Sequence, residues 1–151
     1  MLMILKMFTF GMYLTNCYVV GDEETKGAIV IDPGFDRDRE AEEIMKFIEQ
    51  NGLHVKYIIN THSHGDHTNG NASLKERTHA KIVAHVRSPR PKDISVKDQD
   101  TLQLSNLNIK VVHTPGHTPD GICLNAENAI WIASPLGSEV VRVCEGGKVT
   151  H

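Results

Sequence analysis

The stretch THSHGDHTNG, residues 61–70, places three histidines and an aspartate within six consecutive positions. It follows the apolar run VKYIIN, residues 55–60, which predicts a short buried strand that ends where the histidines begin. In an extended chain, side chains two positions apart point to the same side, so His62 and His64 are expected to face one point together. Such a pair is typical of two ligands to one metal ion.

Further residues complete a predicted metal site. Asp66 and His67 follow the first pair and are expected to face a second point nearby. The segment HTPGHT, residues 113–118, offers His117 as a third imidazole, because Pro115-Gly116 turns the chain just before it. Three protein ligands plus water form the usual catalytic zinc site. We therefore predict one or two Zn²⁺ ions, with iron or manganese as alternatives.

Composition limits the function classes. The chain has 151 residues, of which 40% are hydrophobic and 23% charged, enough for one domain (residues 1–151) with a real core. Its net charge of −3 gives no strong attraction to nucleic acid. The basic cluster RSPRPK, residues 87–92, contains two prolines and is interpreted as a solvated loop.

Neither terminal hydrophobicity nor the cysteines indicate secretion or a membrane. The start MLMILKMFTFGMYL, residues 1–14, is too short to span a bilayer and lacks the cleavage site of a signal peptide. It predicts a buried first strand. The cysteines are few, odd in number and widely spaced, which favours a reducing, cytoplasmic compartment: Cys17, Cys123 and Cys144.

Alternating and apolar runs predict mixed sheets covered by helices, an α/β sandwich. Residues Arg39–Gln50 have apolar positions at helical spacing, and Asn69–Arg77 is predicted as a second helix. Antiparallel hairpins outnumber β-α-β units. The predicted strands are Ile4–Phe10, Cys17–Val20, Ala28–Ile31, Val55–Asn60, Lys81–His85, a hairpin split at Ser105-Asn106, Ile122–Leu124, Ala129–Ala133 and Glu139–Val143.

These motifs resemble those of the metallo-β-lactamase superfamily. THSHGDHTNG is similar to its HxHxDH signature, Asp32-Pro33-Gly34 to its early aspartate turn, and HTPGHT to its third metal-ligand segment. The resemblance runs in the expected order from about residue 4 to about residue 130. It implies an αββα sandwich with the metals at one sheet edge.

The resemblance also implies roles for single residues. His62, His64 and His117 would hold the first metal, and Asp66 with His67 the second. Asp66 would also orient the attacking hydroxide or take a proton, as the catalytic carboxylate. An Asp-His pair at the second metal resembles the glyoxalase II-like branch. The implied function is a hydrolase that uses a metal-bound hydroxide on a small thioester or ester substrate.

Three residues are expected near the ligands. Asp32 and His113 are predicted to contact the metal ligands and orient them, without binding the metal themselves. Asp120 lies three residues after His117 and is a candidate extra ligand, although a surface turn aspartate is the favoured interpretation.

The tail departs from the family pattern. No Gly-Asp follows the strand in AIWIASPL, residues 129–136, where the family has a bridging aspartate. Residues 119–151 resemble a blade segment of gluconolactonase-type β-propellers, so the expectation is a chimeric or C-terminally truncated domain, atypical from about residues 120–130 onward. The alternative function is therefore a catalytically weak, metal-binding assembly module. An uncovered sheet edge adds the hypothesis of a homodimer.

Overall fold

A computed structural model describes residues 3–126, 129–133, 140–144 and 149–150, with side chains from residue 3 to residue 125. The helices are α1 (Asp38–Gln50), α2 (Gly65–Thr68) and α3 (Asn71–Thr78). The strands are β1 (Met3–Phe10), β2 (Thr15–Asp22), β3 (Gly27–Ile31), β4 (His54–Ile59), β5 (Lys81–His85), β6 (Ile94–Val96), β7 (Thr101–Leu104), β8 (Leu107–His113), β9 (Ile122–Ala126), β10 (Ala129–Ala133), β11 (Val140–Cys144) and β12 (Val149–Thr150).

The strands form two six-stranded sheets. The first has the order β1-β2-β3-β4-β5-β6, and the second the order β12-β11-β10-β9-β8-β7. Short turns make β1, β2 and β3 antiparallel, whereas α1 carries the chain back across the sheet, so β4 runs parallel to β3. The pairs from β3 to β6 are parallel, and every pair in the second sheet is antiparallel.

Helix α1 forms because its apolar residues share one face. Ala41, Ile44 and Ile48 are buried on that face. The Glu40 carboxylate accepts hydrogen bonds from the backbone N–H groups of Asp36 and Arg37, which stabilises the beginning of the helix. The predicted helix Arg39–Gln50 is confirmed.

Two hydrophobic cores separate three layers. One core lies between α1, α3 and the first sheet, and includes Ile44, Leu74 and Ile58. The other lies between the two sheets and includes Ile59 and Val111. The predicted α/β sandwich is confirmed, with the described residues forming its helix, sheet and sheet layers. Among those residues, no helix is long and apolar enough to cross a membrane.

Three details differ from the sequence predictions. The predicted second helix, Asn69–Arg77, corresponds to α3, and a separate single-turn helix that was not predicted, α2, precedes it. Strand β6 was not predicted because three residues carry too short a pattern. The first strand is not fully buried: β1 is an edge strand, and Met3, Leu5 and Met7 on one face are 38%, 50% and 48% exposed.

The described cysteines are chemically protected. Cys17 and Cys123 are free and buried. Burial raises the pKa of both thiols, so both stay in the unreactive thiol form at neutral pH.

Candidate metal centre

The site is built where two parallel strands end side by side. Strands β3 and β4 run in the same direction, so the residues that follow them, Asp32 and Thr61, meet at one sheet edge. The Asp32 carboxylate accepts hydrogen bonds from the Thr61 backbone N–H at 2.7 Å and from its hydroxyl at 2.5 Å. This buried aspartate, which is 3% exposed, therefore fixes the start of the histidine-rich loop.

The structure brings three of the predicted ligands together. The ligand atoms of His62, His64 and His117 all lie within 4.8 Å of one another. His64 Nδ1 and His117 Nε2 are 3.2 Å apart. Two nitrogens bound to one tetrahedral zinc ion lie about 3.3 Å apart, given Zn–N bonds of about 2.05 Å. The spacing of this pair therefore fits two ligands of one zinc ion.

A hydrogen-bonded chain orients the His62 ring. The Thr61 hydroxyl gives its one proton to Asp32, so toward His62 Nδ1, 3.2 Å away, it can only accept. His62 therefore carries its proton on Nδ1, and Nε2 keeps the free lone pair that a metal ligand needs. Carboxylate-backed imidazoles of this kind are usual in metal sites.

Asp66 and His67 form a second pair beside the three histidines. Both lie in the single-turn helix α2, rather than before a helix as predicted. Their Oδ2 and Nε2 atoms are 3.5 Å apart, and the His62 and His67 ring centroids are 4.1 Å apart. His67 Nδ1 lies 2.9 Å from Asp32 Oδ2, so its Nε2 is the nitrogen directed toward Asp66. Thr15 donates a 2.9 Å hydrogen bond to Asp66.

The electrostatics of the loop shift the pKa values of its two inner rings, His62 and His67, in opposite directions. Burial, together with the neighbouring imidazoles, lowers the pKa of His62 to about 4. Burial acts in the same direction on His67, but its hydrogen bond to Asp32 and the nearby charges of Asp32 and Asp66 outweigh it and raise its pKa. The pKa of Asp66 is lowered: burial works against this, but the Thr15 hydrogen bond and His67 prevail.

Two glycines allow the aspartate turn and the histidine loop to touch. A Cβ atom at Gly34 would lie 1.5 Å from the Asp66 carbonyl oxygen. A Cβ atom at Gly70 would lie 2.5 Å from the Pro33 carbonyl oxygen, which accepts a 2.7 Å hydrogen bond from the Gly70 N–H. Only hydrogen fits at either position, so these glycines fix how closely α2 approaches Asp32.

The third ligand comes from a loop of the second sheet. Residues 114–121 close on themselves, since the Thr114 N–H donates to the Gly121 carbonyl at 2.8 Å. The Ile122 N–H then donates to the Thr61 carbonyl, also at 2.8 Å, which joins the two loops at their base. His117 projects from this loop and is exposed.

The remaining predicted residues, His113 and Asp120, are not members of the group of three histidines. His113 stacks on the buried His85 ring, with centroids 4.1 Å apart, and its Nε2 lies 2.9 Å from the Pro119 carbonyl oxygen. Asp120 is not a surface turn residue, since it is only 3% exposed. Its Oδ1 accepts a hydrogen bond from Ser63, because the closed loop turns this side chain inward. The predicted strand Glu139–Val143 is described from residue 140 onward, as β11. The segment 134–139, where the family pattern has its aspartate turn, lies outside the described residues.

Several supporting residues were not predicted. Thr15 comes from a distant strand and carries no local signal. Asn60 and Asn71 exchange two amide hydrogen bonds of 2.7 and 3.0 Å in the interior, and Asn60 also donates to the His67 carbonyl. Arg90 donates to the Ser63 carbonyl at 2.8 Å. The basic cluster that contains it, interpreted as a solvated loop, thus contributes one contact to the site.

A protein-family model matches most of the sequence. The model described as the metallo-beta-lactamase superfamily matches residues 11–134. The chain belongs to this superfamily. It is 40% identical over 110 residues to a hydroxyacylglutathione hydrolase of Pelagibacter ubique, covering 70% of this chain and 44% of that protein.

A second relative spans nearly the whole chain. A hydroxyacylglutathione hydrolase of Nitrosococcus oceani is 33% identical over 153 aligned residues, covering 97% of this chain and 56% of the relative. The chain thus spans about half the length of these two hydrolases. Because the superfamily similarity continues through the tail, the expected propeller-derived segment at residues 119–151 has no support.

Solved structures share the fold. The crystal structure of ETHE1 from Myxococcus xanthus superposes with a TM-score of 0.75 at 28% identity, covering 84% of this chain and 55% of that chain. A metallo-beta-lactamase from Staphylococcus aureus gives a TM-score of 0.70 at 26% identity, covering 82% of this chain and 38% of that chain. The likeness in both cases covers most of the described residues.

Proposed function

We propose that this chain is a metal-dependent hydrolase of small acyl thioesters, with His62, His64 and His117 as ligands of one ion. The single observation that carries the proposal is the convergence of three imidazole ligand atoms within 4.8 Å of one another. Imidazole donors suit zinc, and also iron and manganese. Asp66 and His67 would hold a second ion, since their ligand atoms lie beside the first group.

The chain's own residues supply the proton chemistry. A bound zinc ion would act as a Lewis acid toward the carbonyl oxygen and lower the pKa of water at the site. The Asp66 carboxylate, held by Thr15, would orient that water and accept its proton as it attacks the carbonyl carbon. The carbon–sulfur bond would then break, releasing the carboxylic acid, and the leaving thiolate would take up the proton that Asp66 had accepted. Asp32 holds Thr61 and His67 in place throughout.

The thioester class rests on the relatives. The two hydroxyacylglutathione hydrolases that cover 70% and 97% of this chain carry that activity in their names. An acylglutathione is therefore the first substrate class to test. Zinc is the first metal to test because three histidines form one of its usual catalytic ligand sets.

The test combines metal content with turnover. Elemental analysis of protein purified without chelator should give at least one metal per chain, and acylglutathione hydrolysis should stop when a chelator removes it. The His64→Ala variant should lose both metal and turnover. His54→Ala, which removes an exposed imidazole at the start of β4, is the matched control. Equal rates for the parent and His64→Ala would end the proposal.

A second candidate is a metal-binding module without turnover. It is favoured by one observation: among the described residues, the only group that meets the metal-ligand distances is the trio of histidines, without Asp66 or His67. This candidate predicts about one metal per chain. It also predicts a melting temperature that falls on chelation and no acylglutathione hydrolysis.

The homodimer is likewise a proposal. Strand β1 is an eight-residue sheet edge whose exposed face carries Met3, Leu5 and Met7. An apolar edge of this length offers unpaired backbone groups to a second copy. A mass of two chains in analytical ultracentrifugation is expected. The mass of a single chain at every concentration would exclude the dimer.

A further inference from the structure

One carboxylate connects the two ligand-bearing loops through side chains. Asp120 belongs to the loop that carries His117, and its Oδ1 accepts a 3.3 Å hydrogen bond from the Ser63 hydroxyl. Ser63 stands between His62 and His64 in the other loop. The contact thus spans 57 positions of sequence and joins the segment that bears two ligands to the loop that bears the third.

The burial of Asp120 is costly for the fold. Its Oδ2 is buried and, within the part of the chain that the structure describes, has no hydrogen-bond partner. An unpaired buried carboxylate oxygen costs free energy, so a group of this kind in a folded protein calls for an explanation. The hydrogen bond that the structure describes for this carboxylate is the one from Ser63 in the other ligand-bearing loop.

Ser63 is also held from a third element. Arg90, in the loop after β5, donates its Nε–H to the Ser63 carbonyl at 2.8 Å. The side chain of Ser63 is thereby fixed by Asp120 and its backbone by Arg90. Because both the side chain and the carbonyl of Ser63 are bonded, its neighbours His62 and His64 have little freedom to move relative to the loop that contains Asp120.

We propose that Asp120 is a positioning residue that sets the separation between His117 and the His62–His64 pair through Ser63. This proposal rests on the proposed metal site. In it Asp120 does not bind the metal but supports the residues that do. Loss of this contact should leave all three imidazoles in the protein but spread them apart. Metal affinity and coordination geometry should then change without loss of a ligand.

The test compares a variant of Asp120 that keeps an acceptor for the Ser63 hydrogen bond with variants that remove the hydrogen bond. Asp120→Ala and Ser63→Ala should each weaken Zn²⁺ affinity by about 10- to 100-fold, the usual cost of losing a residue that supports a metal ligand. Asp120→Asn keeps an oxygen that can accept the Ser63 hydrogen bond, so it should retain most of the parental affinity. Combining Asp120→Ala with Ser63→Ala should weaken binding no further than either change alone.

A matched control comes from the same region. Asp98 is an exposed carboxylate whose Oδ1 accepts the His113 N–H at 2.9 Å, and it does not contact Ser63. Asp98→Ala should bind Zn²⁺ within about twofold of the parent, as expected for a surface change. Circular dichroism checks that each variant is folded; if Asp120→Ala does not fold, Ser63→Ala gives the result.

Spectroscopy separates positioning from ligation. Co²⁺ replaces zinc, and its visible absorption at saturation reports the ligands and their geometry. Asp120→Ala and Ser63→Ala should shift this spectrum in the same way, and Asp120→Asn should leave it nearly unchanged. If Asp120→Asn loses affinity as Asp120→Ala does, Asp120 is a ligand and the positioning role is wrong. Parental affinity and spectrum in both alanine variants would also overturn it.

These outcomes are distinct from failure of the proposed function. A parent that binds Zn²⁺ but hydrolyses no acylglutathione contradicts the hydrolase proposal, while the affinity series still decides the role of Asp120. A parent that binds neither Zn²⁺ nor Co²⁺ overturns both.

Discussion

The two loops that bear the predicted ligands are held in different ways. In the loop of residues 60–68, the Asp32 carboxylate holds Thr61 and His67 by hydrogen bonds, and His62 and His67 are partly buried. In the loop of residues 114–121, backbone hydrogen bonds close the chain on itself, and His117 is exposed. The first loop is therefore preorganised by the fold, and the second delivers one ligand on a small closed turn.

Removing one ligand from each loop gives the largest expected effect. Both His64→Ala and His117→Ala should reduce acylglutathione hydrolysis to the rate in buffer, because neither loop holds a full ligand set alone. Metal content and turnover are measured together, with His54→Ala as the control. If His117→Ala retains metal while His64→Ala does not, the second loop is dispensable for binding.

Paired glycine substitutions test the difference in packing. Gly34→Ala should cost at least about 3 kcal/mol of folding free energy or prevent folding, because its Cβ would overlap the Asp66 carbonyl oxygen. Gly116→Ala should change stability by less than about 0.5 kcal/mol, because nothing lies within 4 Å of a Cβ there. Urea unfolding measures both. Equal losses would show that the second loop is packed as tightly as the first.

The same difference explains what the sequence could predict. The ligands at 62, 64, 66 and 67 lie within six positions, so their spacing alone indicated a metal site next to a strand end. Most of the strands and α1 were likewise predicted from periodicity, because each pattern is local. His117 was found through its own motif, but the contact of its loop with Ser63 could not be found in this way.

What escaped prediction depends on contacts that are distant in sequence. Thr15 meets Asp66 across 51 positions, and Asp120 meets Ser63 across 57. Asp120 was interpreted as a surface residue because Pro119 and Gly121 beside it indicate an exposed turn. The closed loop turns its side chain inward, which only the three-dimensional arrangement reveals. Strand β1 was predicted as buried from its composition, although its place at the sheet edge exposes one face.

Substitution of Asp32, which bonds Thr61 and His67 in the first loop, should have a smaller effect than loss of a ligand. Asp32→Asn keeps the size of the side chain but removes the charge that faces His67, so metal affinity should fall by about 10- to 100-fold. Asp98→Asn changes an exposed carboxylate that bonds the His113 N–H at the end of β8, outside both loops, and should leave affinity near that of the parent. Competition with a chromophoric chelator measures both constants. Similar losses of affinity in both variants would show that the contact of Asp32 with His67 is not what matters for metal binding.

Acid should weaken the first loop of the metal-free protein by a modest amount. The pKa of His62 is lowered to about 4 in the folded chain, against about 6.5 in an unfolded one. The unfolded chain therefore binds the proton more readily, and the stability that His62 contributes is present above about pH 6.5 and lost as the pH falls toward 4. His67 acts oppositely, since its raised pKa gives stability below about pH 6.5 that is lost as the pH rises through that raised value.

The melting temperature of chelator-treated protein from about pH 4 to about pH 8 separates the two contributions, because they act on opposite sides of the ordinary histidine pKa. His62→Gln removes the titrating group and should flatten the fall on the acid side, leaving the His67 contribution at higher pH. His54→Ala, which changes an exposed histidine outside both loops, should keep the parental profile. An unchanged acid limb in His62→Gln would assign the loss of stability to other groups and remove the electrostatic contrast between the loops.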